Sequence, residues 1–185
     1  MNQKNEWTHR TIEPLPASHP ELGRWLWAFE DTRHRTLAAL DGLDQEELDW
    51  TPPELRNSVG TLLYHLALIE TDYLCMDILG MEDYFPDLKE LLPFPDRNES
   101  GELIIVTGVP LPEHLSRLAE VRNRFLPSVS SLDAEQLDTS RSFPEWNYDI
   151  SPAWTLHHLM QHEADHRGEI MLLRTLFKAR RSNDE

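Results

Sequence analysis

The sequence predicts an all-α fold, a four-helix bundle, on three observations. Four long segments carry apolar residues at i, i+3 and i+4 spacing. Prolines and glycines gather in the connections between them. The length of 185 residues suits one domain large enough to bury a core.

Residues 1–20 are polar, carry Pro14, Pro16 and Pro20, and read as an N-terminal arm. The first helix is placed at 21–40, where Leu22, Trp25, Leu26, Phe29, Leu37 and Leu40 mostly follow helical spacing. Residues 41–57, with Gly42, Pro52 and Pro53, form a connection that holds a short helical turn at 43–48. Ser58 is the N-cap of a second helix that runs to Leu79, and Gly80 stops it. Its apolar positions are Leu62, Leu63, Leu66, Ile69, Tyr73 and Met76.

Helical patterning breaks over 81–111, which contains Pro86, Pro93, Pro95 and Pro110 and a short β-like run at 103–106. A crossover this long reads either as a functional lid or as a packed surface excursion. The third helix covers 112–131, with Leu115, Leu118, Val121 and Phe125 on one side and Pro127 kinking or ending it. A loop follows at 132–150. Ser151 as N-cap and Pro152 at the first helical position open the fourth helix, which runs to Ala179 and ends on basic residues that suit its dipole. The domain reading is therefore an arm (1–20), one bundle domain (21–180) and a short tail (181–185). A weak internal echo joins the two halves: Leu43-Asp44-Gln45-Glu46-Glu47-Leu48-Asp49 recurs as Leu132-Asp133-Ala134-Glu135-Gln136-Leu137-Asp138, each followed by a Ser-started helix with a His-Leu pair seven residues on.

Composition narrows the function classes. Thirty-three acidic against seventeen basic residues give a formal charge of −16, which argues against nucleic acid and anionic membrane as partners. One cysteine excludes a disulfide framework or a cysteine zinc cluster. The N-terminus is polar and no apolar run reaches the roughly 20 residues of a membrane span, so the expectation is a cytoplasmic protein.

Nine histidines are the unusual feature, and His157, His158, His162 and His166 crowd into the fourth helix. Residues four apart sit about 40° apart around a helix and about 6 Å along it. His158, His162 and His166 therefore share a face, with His157 turned about 100° away. The apolar stripe of Leu156, Leu159, Ile170, Leu173 and Phe177 is interrupted, and His162 and His166 occupy the core positions in the gap. Imidazoles at core positions require hydrogen bonds or a metal. An i, i+4 pair, His158 with His162 or His162 with His166, can reach one ion, while His158 and His166 are about 12 Å apart along the axis. A third ligand must come from elsewhere, and His65 on the second helix is available.

His162-Glu163-Ala164-Asp165-His166 is a literal H-E-x-x-H, the zinc-peptidase pattern. The further ligand positions downstream hold Glu169 and Leu172, and no sheet is found to hold a peptide, so the peptidase reading is set aside. Glu163-x-x-His166 also matches half of a di-iron site, whose other half exists only as Glu6 to His9 in the arm.

Three stretches together resemble the DinB/YfiT-like family of metalloenzymes: Asn57-Ser58-Val59-Gly60-Thr61-Leu62-Leu63-Tyr64-His65-Leu66 with Glu70 following, His158-Leu159-Met160-Gln161-His162-Glu163-Ala164-Asp165-His166-Arg167-Gly168-Glu169-Ile170, and the segment from Leu43 to Trp50. The resemblance spans 22–177. It implies an up-down-down-up bundle with the crossover between helices two and three. It implies a divalent ion, nickel or zinc, held by His65, His162 and His166, with a low-molecular-weight thiol as co-substrate in several relatives, and a homodimer. Glu169 and Asp165 stand where the family often has Gln and His, which bears on substrate chemistry more than on the metal.

Three neutral imidazoles leave a divalent ion at least one open position, the catalytic arrangement. Together with the open position, the resemblance implies a thiol-dependent S-transferase or related hydrolase, in which a metal-bound thiolate or hydroxide attacks an electrophilic small molecule. Glu70 and Glu163 are the candidate catalytic carboxylates, and Asp72 and Asp165 are further candidates for orienting a histidine or moving a proton. His158, Asp165 and Arg167 are expected beside the ligands or against substrate. Gly168 is expected to permit close helix approach, and Cys75 to lie in the core. His9, His19, His34, His114 and His157 read as arm or surface. The alternatives are a non-catalytic metal-binding stress-response protein and a bundle whose histidines are only a structural polar core.

Overall fold

A computed structural model describes residues 10–53 and 55–184. The arm's Glu6 and His9 fall outside the described residues. Four long helices dominate: α1 (Pro20–Ala38), α3 (Val59–Asp72), α5 (Leu111–Ser130) and α7 (Pro152–Asp184). Shorter ones are α2 (Gln45–Asp49), α4 (Pro86–Leu91) and α6 (Ala134–Asp138), with a π-helical segment, Tyr73–Ile78, continuing α3. Strands β1 (Arg141–Phe143) and β2 (Tyr148–Ile150) pair antiparallel. No helix is long and apolar enough to cross a membrane, among the described residues.

The caps follow local chemistry. Ser58 Oγ accepts from the Thr61 amide at 3.1 Å and opens α3. The two copies of the echoed segment fold alike: Asp44 caps α2, and Asp133 caps α6 through a full capping box with Gln136. The second copy, read above as loop, is therefore a helix. The π-helical turn carries its i+5 bond from the Leu79 amide to the Leu74 carbonyl. Gly80, at φ +64°, then ends the run, with the Met81 amide bonding back to the Cys75 carbonyl.

Several expectations are corrected. The crossover contains α4, and its β-like run makes only an isolated bridge, Leu103 with Arg97. The loop at 132–150 holds α6 and a two-stranded hairpin where no sheet was expected, because Asn147 takes the left-handed conformation (φ 56°) that a tight turn needs. Helix α5 continues through Pro127 to Ser130, since a proline in the last turn removes a single ladder bond while Val129 stays fully buried. Helix α7 runs to Asp184, beyond the end expected at Ala179. Leu15 and Ala17 of the arm pack against the core, and Gly23 permits it: a Cβ there would lie 2.5 Å from the Leu15 carbonyl oxygen.

Helix α1 packs on α7 and α5, and α3 packs on α5 and α7. The core divides into two apolar clusters. One joins Leu62, Leu63 and Leu66 of α3 to Leu118 and Val121 of α5, Ile170 and Leu173 of α7, and Leu88, Leu92 and Val106 of the crossover. The other joins Leu22, Leu26 and Phe29 of α1 to Leu74, Phe125, Val129, Leu156 and Leu159. The crossover is a packed excursion: the Val106 amide donates to Thr61 Oγ1 and Arg117 Nε donates to the Leu91 carbonyl.

His114, expected at the surface, is 1% exposed. It precedes Leu118, Val121 and Phe125 at i, i+4, i+7 and i+11, so it belongs to the stripe of α5, and Gly60 leaves room for its ring. Neither of its ring nitrogens has a partner among the described residues. Burial holds its pKa at about 4, with Arg117 adding to the shift and Asp49 opposing it. The folded chain thus refuses a proton that the unfolded chain accepts near pH 6.5. Stability is full above that value and falls as pH drops toward 4. Thermal melting of the metal-free chain is expected to drop between pH 7 and pH 5, and His114→Leu to shrink that drop. An equal drop in the variant would show that another group controls it.

Candidate metal centre

The site is built where α3 faces the middle of α7. His65 lies on α3 between Leu62 and Ile69 and is 4% exposed. His162 and His166 project from successive turns of α7 and are half-buried. The Nε2 atom of His162 lies 3.1 Å from Nε2 of His65 and 3.1 Å from Nε2 of His166. One ring nitrogen from each of the three lies within 4.8 Å of the others.

The far side of two rings is fixed. His65 Nδ1 lies 2.6 Å from Asp96 Oδ1, and His166 Nδ1 lies 2.6 Å from Glu169 Oε2. An ionised carboxylate only accepts, so in the neutral form of each ring Nδ1 carries the proton and Nε2 turns a lone pair inward. His162 Nε2 can donate to at most one of these two acceptors, leaving at least one lone pair facing its neighbours. A cation satisfies all three, and carboxylate-backed imidazoles are the usual surroundings of such an ion. Burial, with repulsion from His166, His65 and His158, pushes His162 down to about 3, so it stays neutral and able to ligate.

Asp96 comes from the crossover, and neighbouring residues explain its placement. Tyr64 Oη donates to the Phe94 carbonyl at 2.9 Å and accepts from the Phe94 amide at 2.7 Å. The loop is thereby pinned at the residue before His65, and Asp96 meets His65 itself. Burial raises the Asp96 carboxyl, but its hydrogen bond and charge interaction with His65, then Arg97, outweigh that and hold it below the ordinary range.

Glu70 and Glu163, the candidate catalytic carboxylates, lie together in a different cluster. Arg33 of α1 bonds Glu70 at 2.7 Å and Glu163 at 2.8 Å, while Arg122 of α5 bonds Glu70 at 2.7 Å and reaches Glu163 at 3.5 Å. Glu70 and Glu163 are 3% and 2% exposed. Both oxygens of each are engaged by guanidinium groups. Burial raises Glu70, but Arg122 and Arg33 overcome it and keep it ionised. Glu163 of the H-E-x-x-H match is thus tied into ion pairs between helices.

The remaining candidates separate. His158 stacks on Trp154 and its ring stands 5.9 Å from that of His162. Asp165 is exposed, and Arg167 donates to the Thr32 carbonyl at 3.4 Å. Asp72 accepts from Tyr84 Oη at 3.2 Å. Gly168 is exposed, and among the described residues nothing lies within 4 Å of a Cβ position there, so the expected close helix approach is not seen. Cys75 is buried, and burial raises its thiol. His34 and His157 are exposed, and His19 caps α1. Residue-by-residue reading missed Asp96, Arg33 and Arg122. Glu169 was noted only as a departure, although its i+3 spacing from His166 signals the pairing.

Comparison with known proteins adds one finding. The sequence profile of a family described as the DinB superfamily matches residues 28–170, most of the chain. No curated protein matches it.

Removing one member of a buried ion cluster strands an opposite charge in a low-dielectric interior, at a cost of about 3–5 kcal/mol. Arg122→Met is therefore expected to lower the unfolding free energy in urea by about that amount. Pairing it with Glu70→Gln should recover part of the loss. A change under about 1 kcal/mol in the single variant would show that the cluster is not a structural tie.

Proposed function

The chain belongs to the DinB superfamily, and from that premise we propose that it is a divalent-metal-dependent enzyme, a thiol-dependent S-transferase or related hydrolase acting on an electrophilic small molecule. The observation that carries this reading is the convergence of one nitrogen each from His65, His162 and His166. In this reading the four long helices form the up-down-down-up bundle of the family, and nickel or zinc is the resident ion.

The donor set suits such an ion: three neutral imidazoles of borderline softness, two of them backed by carboxylates. When bound, the ion supplies a Lewis acid that lowers the pKa of a thiol or of water. The chain's own residues supply the rest. Asp96 and Glu169 hold the Nδ1 protons of His65 and His166 and so keep both rings turned inward. Cys75 is buried away from this role, so the thiol of a transferase is diffusible.

A second reading, a metal-binding stress-response protein without turnover, is favoured by one observation. The carboxylates of Asp96 and Glu169 beside the histidines, and those of Glu70 and Glu163 in the neighbouring ion cluster, already have partners. Turnover of monochlorobimane-like electrophiles with a panel of low-molecular-weight thiols separates the two. Conjugation that disappears with chelator supports the enzyme, and its absence across the panel supports the binding protein.

Metal content tests the site itself. The purified chain, offered zinc or nickel, is expected to bind close to one equivalent; uptake below about 0.2 equivalents would refute the site, because a preformed three-histidine centre fills. His65→Ala and His166→Ala should each abolish stoichiometric binding. Asp96→Asn should weaken affinity by about 10- to 100-fold. Glu169→Gln should weaken it less, since the Glu169 side chain is 52% exposed.

A further inference from the structure

A cavity of about 480 Å³ lies where the π-helical turn meets α6, β1 and the start of α7. Asp77, Ile78 and Pro152 form its buried floor, and Asp133, Glu135 and Arg141 stand exposed around its mouth. That volume and that mixture of apolar and polar lining are those of small-molecule sites. None of the three histidines, and no arginine or glutamate of the ion cluster, lines it.

Asp77 sets this cavity apart. Four carboxylate residues are buried among the described residues: Glu47, Glu70, Asp77 and Glu163. Arg174 holds Glu47 at 2.8 Å, and Arg33 holds Glu70 and Glu163 at 2.7 and 2.8 Å. Asp77, 7% exposed, accepts no hydrogen bond and forms no ion pair among the described residues. A buried carboxylate in that state is costly, because it gives up water and gains no donor. Arg141 lines the same cavity, but its guanidinium lies across Gly80, where a side chain would collide with it, and it acts on Asp77 from beyond ion-pair distance. Burial, then the charge of Asp72, raise the Asp77 carboxyl to about 6, with Arg141 opposing them. Above that value Asp77 is ionised and its oxygens need a donor.

The carboxylates of Asp77, Asp133 and Glu135 against the single guanidinium of Arg141 make the lining favour a cation. A metal ion needs several ligand atoms around one point. Among the described residues only His65, His162 and His166 converge in that way, so Asp77, Asp133 and Glu135 share no such point. One buried acceptor beside Ile78, Leu132 and Pro152 instead suits an N–H-bearing cation on a short hydrocarbon body. We propose that this cavity binds a free aliphatic amine, its ammonium donating to Asp77 and its chain lying against Ile78, Leu132 and Pro152. Asp133 and Glu135 favour a second ammonium at the mouth, so a diamine binds more tightly than a monoamine. The site is independent of the histidines and of any ion they hold.

Titration of the nitrogen-15-labelled full chain with butylamine, butane-1,4-diamine, butanol and butyrate at about pH 7.5, where both amines are cations, tests the site. The amines are expected to shift the amide signals of Ile78, Gln136 and Ser140, and butanol and butyrate to bind at least about tenfold more weakly. Asp77→Asn, which keeps the shape, should weaken both amines at least about tenfold, the loss of one charge-assisted hydrogen bond. Glu99→Gln removes the same charge from an exposed position on the crossover and should change affinity less than about twofold. Equal losses in the two variants would show only general attraction to a chain of charge −16 and would overturn the proposal. So would butyrate binding as tightly as butylamine, or amine shifts confined to the amides around His65 and His162. Nα-acetyl-lysine amide presents the ammonium that a docked protein would bring, and is expected to bind more weakly than the diamine; tighter binding would overturn the free amine in favour of a peptide. Asp77→Asn is expected to melt no lower than the unaltered chain, because no group in the chain loses a partner. A clearly lower melting temperature would assign Asp77 a partner within the chain and refute the site.

Discussion

Two arginines and two glutamates, one from each long helix, meet inside an otherwise apolar core, and the positions of all four helices depend on that meeting. Along each helix the charged residue falls between the two apolar clusters: Arg33 after Phe29, Glu70 between Leu66 and Leu74, Arg122 between Val121 and Phe125, Glu163 between Leu159 and Ile170. Apolar packing is non-directional and tolerates small slides and rotations. Guanidinium–carboxylate pairs have fixed geometry, and in a low dielectric an unmade pair is costly. The cation–π contact of Arg122 over Phe29, at 3.7 Å, adds a further directional tie. The layer therefore sets the register that the apolar clusters leave loose.

That register is also the register of the three histidines. Glu70 lies five residues beyond His65 on α3, and Glu163 stands between His162 and His166 on α7. Closing the ion cluster brings these two stretches of helix together at one height. The two groups of residues share helices and differ in face: Glu163 turns toward the arginines and its neighbours in sequence turn toward His65. An H-E-x-x-H match on a helix thus divides between an ion cluster that joins helices, at Glu163, and a cluster of histidines, at His162 and His166.

Much of this was legible in the sequence, and what was not has a common cause. Helical period, capping serines and the glycine stop located the four long helices, since those signals are local. His162 and His166 were legible as a break in an apolar stripe and His65 as a histidine on the largely apolar face of the second helix, and the DinB resemblance selected His162 with His166 over His158 with His162. Partners distant in sequence were not legible. Asp96 lies 31 residues from His65, and nothing around Pro93 and Pro95 says which histidine it meets. Arg33 and Arg122 carry no signal in the sequence, because a long charged side chain looks the same on either face until its partner is known. His114 was misplaced for a different reason: polar residue type was weighed above its place in the stripe of α5.

The bond between Asp96 and His65 joins a loop to a helix, and this has a thermodynamic consequence. Whatever favours the inward-facing form of His65 also favours the ordered form of the segment that supplies Asp96, and the coupling is reciprocal. Occupancy at the histidines and rigidity of the chain from Tyr64's anchor at Phe94 onward are then two readings of one free energy. The order of a crossover packed at Leu88, Leu92 and Val106 is in this sense linked to the orientation of His65.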